Sequence, residues 1–233
     1  MPNLRTALGS VATRGSRPIL ARVPFIGIGL AIAGGLIFGV LAYNVRTNGP
    51  LLAWDLPIIQ ALHQRAVHDS PLVLTLMKIC GAVGRETAAI ITVLLAGFWL
   101  VKRRWRELTL LLAGVAGGEI WFEILSRLFG RHRPVFPDPL DPLPGPGFPS
   151  GHSQTAVLLY GLLFYLLLPR LRAGRARLLA AAVTVLIALL VGFARLYMGA
   201  HYPTDVLAGY AFGLFWAGLA YTGVELYYAR YPS

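Results

Sequence analysis

The sequence predicts an all-α, polytopic membrane protein: six transmembrane helices with one amphipathic helix on the outer, periplasmic side. Three observations lead there. Of 233 residues, 56% are hydrophobic and 13% charged, about half the charged share of a soluble domain. The apolar residues fall into long runs, and the arginines and lysines cluster between those runs. A net charge of +11 so distributed reads as membrane orientation rather than as a nucleic-acid surface, and nucleic acid is not an expected partner. The single cysteine, Cys80, excludes an internal disulfide and a thiolate metal site.

Residues 1–22 read as a basic cytoplasmic tail and 23–233 as one membrane domain. The first span is Val23 to Tyr43, an apolar run too long for a signal-peptide core, so it is read as a retained anchor. The second runs from about Gly84 to Val101, the third from Leu108 to about Leu125 and the fourth from Gln154 to Leu168. The fifth covers Leu178 to Ala194, and the sixth Val206 to about Tyr221. Several are shorter than the roughly 20 residues that cross a bilayer, so their ends extend into the adjoining loops. Between the first two spans, Trp54 to Ile79 carries apolar residues at mixed three- and four-residue spacing, the pattern of a helix lying on a membrane surface. The stretch Pro137 to Gly147 is too rich in proline for a helix and reads as an ordered loop.

Basic residues set the orientation. Arg5, Arg14, Arg17 and Arg22 precede the first span; Lys102, Arg103, Arg104 and Arg106 follow the second; Arg170, Arg172, Arg175 and Arg177 follow the fourth. The positive-inside rule makes these segments cytoplasmic, with both termini inside a cytoplasmic (inner) membrane. Asn44 to Arg85, Ser126 to Ser153 and Arg195 to Asp205 are then the outer connections.

Two of these outer connections carry dense polar chemistry. They bring Arg127, Arg131, Arg133, His152, Arg195, His201 and Asp205 to one membrane face. Arg131 taken alone reads as a lipid-headgroup anchor. The cluster as a whole suits a phosphate, because guanidinium groups match phosphate oxygens bidentately and stay charged. His201 and Asp205 share a helix face at i and i+4, so the carboxylate can accept from one imidazole nitrogen and leave the other to attack; the same pair also serves as a plain helix cap. His152 follows Ser150 and Gly151 at a helix start, where unpaired N–H groups favour an anion, and Ser150 reads as N-cap, phosphate donor or both. A nucleophile elbow is excluded because Phe148, not glycine, lies two residues before Ser150. No histidine spacing suits a metal, so no metal or other cofactor is expected.

These residues resemble a known family. Gly130 to Pro134 (GRHRP), Pro149 to His152 (PSGH) and Ala194 to Asp205 (ARLYMGAHYPTD) are similar to the three ordered motifs of the type 2 phosphatidic acid phosphatases, K-x6-R-P, P-S-G-H and S-R-x5-H-x3-D. The resemblance implies a six-helix lipid phosphatase working through a phosphohistidine. It implies His201 as nucleophile, Asp205 as its orienting partner and His152 as general acid. Arg133, Arg195, Ser150 and the Gly151 N–H would hold the phosphoryl oxygens. Implied substrates include undecaprenyl diphosphate and phosphoglycerolipids such as phosphatidylglycerophosphate, cleaved at the outer membrane face. A lipid phosphotransferase and a non-catalytic lipid-binding or transport protein are the alternatives. Two positions depart from the motifs: Ser126 stands where the lysine is expected, and Ala194 where the serine is. Arg127, next to Ser126 and four residues after Glu123, is expected to pair with Glu123 and also to reach the outer phosphate oxygens.

Overall fold

The computed structural model describes residues 23–231, so the basic tail of residues 1–22 lies outside the description. Every regular element in the described residues is helical. Helix α1 is Val23–Thr47; a short 3-10 turn, Pro50–Trp54, leads into α2, Asp55–Ala66, and then α3, Pro71–Ala82. Helix α4 is Glu86–Val101, α5 Trp105–Leu111, α6 Gly117–Phe129, α7 Gly151–Leu167, α8 Gly174–Tyr197 and α9 Pro203–Arg230. Among the described residues, six helical stretches are long and apolar enough to cross a membrane. Their outward faces expose Ile26, Leu36, Val93, Leu94, Val101, Leu178 and Leu179. A belt of large apolar side chains on this scale is what lipid contact produces.

Two readings of the sequence change. The apolar pattern from Trp54 to Ile79 is not one surface helix. It breaks at Ser70, whose Oγ accepts from the Val73 N–H at 3.4 Å, and Pro71 then occupies the first helical position. The amphipathic helix is α2 alone, with Asp55, Ile59, His63 and Ala66 on its buried face. Helix α3 belongs instead to the second span, which begins at Pro71 and not near Gly84. A break at Val83 to Arg85 separates α3 from α4. The third span also departs from a uniform helix: residues Leu112–Ala116 form a π-turn between α5 and α6. Its loosened carbonyls of Ala113 and Gly114 accept from Trp216 Nε1 at 3.0 and 3.1 Å.

Helix α9 is the axis of the bundle. One face meets α1 with the backbones almost touching: a Cβ on Gly34 would lie 2.6 Å from the Ala211 carbonyl oxygen, and one on Gly218 2.3 Å from that of Gly27. Its other face meets α7, where a Cβ on Gly209 would lie 2.4 Å from the Ser150 carbonyl oxygen. Small residues let membrane helices approach until backbone packing replaces a hydrophobic force that lipid does not supply. Leu110, Leu111, Val115, Leu158, Leu159 and Leu162 fill the space between α5, the π-turn and α7. The consequence for the site is direct: the starts of α7 and α9 are clamped side by side.

Buried charges finish the job at that end. Arg131 donates from Nη2 to Asp55 Oδ2 at 2.7 Å and from Nη1 to Asp205 Oδ1 at 2.6 Å, with side-chain exposures of 13%, 3% and 0% for Arg131, Asp55 and Asp205. Asp55 Oδ1 also accepts from the Thr204 N–H at 2.9 Å. Removing one member of a buried ion network strands the rest. Asp55→Ala is therefore expected to cost about 3 kcal/mol, measured by chemical unfolding in detergent; a change below about 0.5 kcal/mol, the range of surface substitutions, would contradict the network's role.

Candidate active site at the starts of α7 and α9

The site is built from four helix ends and one irregular connection. Gly130, in the left-handed conformation at φ 58°, ends α6 and turns the chain inward. Arg131 then enters its acidic pair, and its carbonyl accepts from the Gly147 N–H at 2.7 Å, closing the connection on itself. Arg133 follows, anchored through Nε to the Gly145 carbonyl at 3.1 Å and through Nη1 to the Ala200 carbonyl at 3.0 Å. The headgroup-anchor reading of Arg131 is thus corrected: its guanidinium is an internal strut, stacked 4.5 Å from the Tyr202 ring centre.

His201 lies between α8 and α9, fully enclosed. Its Nδ1 is 2.8 Å from the Gly147 carbonyl oxygen, and its Nε2 is 2.8 Å from Arg133 Nη1. A carbonyl can only accept and a guanidinium can only donate. The proton therefore sits on Nδ1, and the Nε2 lone pair faces Arg133. This differs in one respect from the expectation that Asp205 takes the imidazole hydrogen. Asp205 Oδ2 lies 3.7 Å from Nδ1 and instead accepts from the Tyr202 N–H at 2.9 Å, while the loop carbonyl takes the imidazole proton. Burial pushes the His201 imidazole below its usual value, and the Arg133 charge adds to this while Asp205 opposes it. The neutral imidazole is favoured.

His152 stands two residues after Ser150, in the first turn of α7, its ring centre 6.5 Å from that of His201. Its Nε2 is buried without a hydrogen-bond partner and only 3.5 Å from Glu86 Oε1. Ser150 is the N-cap residue of α7; its N–H donates to the Asp205 carbonyl at 2.9 Å, and its Oγ accepts from Ser153 at 3.2 Å. Gly151 has a steric reason to be glycine, since a Cβ there would come within 2.9 Å of the Phe122 ring. Arg195, near the end of α8, donates from Nη1 to Asp141 at 2.7 Å and leaves Nε buried without a partner.

The structure therefore brings together His152, His201, Asp205, Arg133, Arg195, Ser150 and Gly151. Arg127 pairs with Glu123 at 2.6 Å on the surface, with 76% of its side chain exposed, and none of its hydrogen bonds goes to the others. Burial pushes the Arg133 guanidinium below its usual range, with Arg85 and Arg195 adding to the effect against Asp205. Clustered guanidiniums beside a helix start, with two buried polar nitrogens lacking partners, have the chemistry of an oxyanion site. Among the described residues no three His, Cys, Asp or Glu side chains converge as metal ligands.

Residues missing from the sequence reading are Asp55, Arg85, Glu86 and Asp141. Two had usable signals. Asp55 falls on the apolar face of α2 in register with Ile59, His63 and Ala66, where an unpaired acid is costly. Arg85 is a cation inside the apolar stretch Pro71–Val101, where a charge is costly unless it has a role or a partner.

The fold and the site define a multi-pass helical membrane protein with two histidines and several arginines gathered at one end of the bundle. The chain belongs to the PAP2 superfamily, which matches residues 107–227. It is 32% identical over 126 residues to phosphatidylglycerophosphatase B of Bacillus subtilis, covering 54% of this chain and 61% of that protein. It is 38% identical over 99 residues to lipid A 1-phosphatase of Rhizobium etli, covering 39% of this chain and 38% of that protein. In both cases the match spans less than two thirds of the relative's length. The crystal structure of a transmembrane PAP2-type phosphatidylglycerolphosphate phosphatase from Bacillus subtilis aligns with a TM-score of 0.71 at 27% identity, over 89% of this chain and 98% of its own. Aquifex aeolicus LpxE shares the fold, with a TM-score of 0.55 at 21% identity over 71% of this chain and 93% of its own.

Gly81 tests the anion reading. A Cβ there would lie 1.6 Å from Arg195 Nη2, so the guanidinium has to move if the glycine is replaced. Orthovanadate at 100 times its Kd should stabilise the wild-type protein by about 2.7 kcal/mol. Gly81→Ala is expected to lose most of that stabilisation at the same concentration; an undiminished thermal shift would remove Arg195 from the anion site.

Proposed function

We propose that this protein is an integral-membrane lipid phosphatase. It hydrolyses a phosphomonoester or pyrophosphate, as in undecaprenyl diphosphate or phosphatidylglycerophosphate, at the outer face of the cytoplasmic membrane. The observation that carries the reading is the state of His201: Nδ1–H is held by the Gly147 carbonyl, and the Nε2 lone pair is aimed at a guanidinium that binds phosphate readily. The names of the relatives, phosphatases of phosphatidylglycerophosphate and of lipid A, support a lipid phosphate as substrate. The outer location rests on the arginine-rich connections at the opposite helix ends, Lys102 to Arg104 and Arg170 to Arg177.

Two transfers complete the reaction. The His201 Nε2 lone pair attacks phosphorus as the bond to the leaving oxygen breaks, and His152 delivers a proton to that oxygen. Water then attacks the phosphohistidine, the P–N bond breaks, and His152 recovers a proton as phosphate is released. Arg133, Arg195, the Ser150 hydroxyl and the N–H groups that open α7 receive the charge on the phosphoryl oxygens. Arg133 Nη1 lies where phosphorus must approach Nε2, so substrate entry exchanges one contact of that guanidinium for another. The spacing of the two imidazoles is close to what one phosphoryl group needs between an attacking and a protonating nitrogen. Asp205 acts through the Arg131 strut and the start of α9, holding the backbone that presents His201.

The test is phosphate release from a panel of lipid phosphates in buffer containing EDTA. His201→Ala is expected to abolish it in folded protein, and near-normal turnover would remove His201 from the mechanism. The pH profile carries a sign. Only neutral His201 attacks, and burial lowers its pKa from 6.5, so the acid limb of kcat/KM should lie below pH 6.5. An acid limb centred above 6.5 would contradict that assignment.

A further inference from the structure

The first motif lacks its basic residue, and the structure shows what faces that position. Ser126 is buried, and its Oγ donates back to the Glu123 carbonyl at 3.1 Å. Ser126, Phe122 and Glu119 occupy one face of α6, at spacings of four and three. That face looks onto the start of α7: the Phe122 ring is 2.9 Å from the place of a Cβ on Gly151, and Glu119 accepts from the Thr155 hydroxyl. The neighbouring cation, Arg127, is turned to Glu123 on the exposed surface.

A cation nevertheless sits on this face, and it comes from another helix. Arg85 caps α4 in a non-helical conformation, φ −129° and ψ −53°, at the break after α3. Its guanidinium carbon lies 4.6 Å over the Phe122 ring centre, and Nη2 is 3.3 Å from Glu119 Oε2. Nη1 lies 3.3 Å from the Gly151 Cβ position and donates to no group among the described residues. The preceding residue has to be small, because a Cβ on Gly84 would meet Val191 at 2.4 Å and the His152 Cβ at 3.2 Å. Arg85 is thereby held beside the general acid.

We infer that Arg85 is a phosphate-binding residue of this site, supplying across the start of α7 the charge that Ser126 does not. The inference rests on the phosphatase reading above. Stacking on Phe122 and the long pair to Glu119 fix the guanidinium plane, and a planar fork held at one edge presents its other edge to an oxyanion. The first N–H groups of α7 have no carbonyl partner within the helix, and Nη1 lies beside Gly151, where that helix starts. His152 Nε2 and Arg195 Nε, both buried without hydrogen-bond partners, are a second observation that supports a ligand at this end of the bundle.

The experiment compares purified wild type with Arg85→Gln, Glu119→Gln and Arg85→Gln/Ser126→Lys, measuring kcat/KM on the lipid phosphate and orthovanadate Kd by calorimetry. Arg85→Gln is expected to lower kcat/KM by about 10- to 100-fold and to weaken vanadate at least several-fold. Ser126→Lys should restore a substantial part of both, and Glu119→Gln, which keeps the cation, should cost far less than Arg85→Gln. If Arg85→Gln does not fold, Arg85→Lys replaces it; loss of the planar fork is then expected to raise the vanadate Kd several-fold. Vanadate affinity unchanged in whichever Arg85 variant folds overturns the inference. So does a Glu119→Gln loss equal to that of Arg85→Gln, which makes Arg85 a strut between α4 and α6. A wild-type protein that neither cleaves any lipid phosphate nor binds vanadate removes the phosphatase reading, and this inference with it.

Discussion

One guanidinium holds the working end of this protein together. Arg131 bonds to Asp55 at the start of α2 and to Asp205 at the start of α9, so residues separated by 76 and 74 positions meet in a pocket nearly closed to solvent. A charge removed from water is tolerated only when paired and hydrogen-bonded. That requirement makes α2, the connection after α6 and α9 mutually dependent. Other distances follow from it. Asp205 accepts the Tyr202 N–H through its side chain and the Ser150 N–H through its backbone, so one residue fixes both the approach to His201 and the start of α7. The Gly147 carbonyl that orients His201 is in turn tied through its own N–H to Arg131.

Packing then sets how closely these ends converge. Helix α9 lies against α1 and α7 at distances only glycine allows, which leaves the starts of α7 and α9 little freedom to separate. The glycines near Arg195 and His152 work differently: Gly81 and Gly84 admit side chains of neighbouring helices to the break between α3 and α4. The break serves the chemistry as well as the path of the chain, because it delivers Arg85 and Glu86 to the site.

Much of this was legible in the sequence, for reasons that also explain what was not. Long apolar runs marked the six spans because lipid demands them whatever the tertiary details. The start of the second span was missed because apolar periodicity across Trp54 to Ile79 outweighed the Ser70-Pro71 signal. Nothing in Leu112–Ala116 announced a π-turn, whose carbonyls are satisfied by Trp216 about a hundred residues away. At the site, i,i+4 spacing sufficed for the pairing of Arg127 with Glu123, because both partners lie on one exposed helix face. The same spacing misassigned the proton of His201: a loop carbonyl leaves no mark on a side-chain pattern, and that of Gly147 competes better than Asp205. Arg131 looked like a headgroup anchor because its partners come from helices far away in the chain.

Phosphoryl transfer to one nitrogen is the central step of the proposed reaction. Wild-type protein mixed with lipid substrate carrying labelled phosphate, quenched within a turnover in alkali and mapped by mass spectrometry, tests this most directly. The expected result is label on the imidazole of His201, absent when the substrate is omitted and accumulating further in a variant slowed in the water step. Active enzyme that carries no label at any time during turnover, or carries it on another residue, would contradict the mechanism.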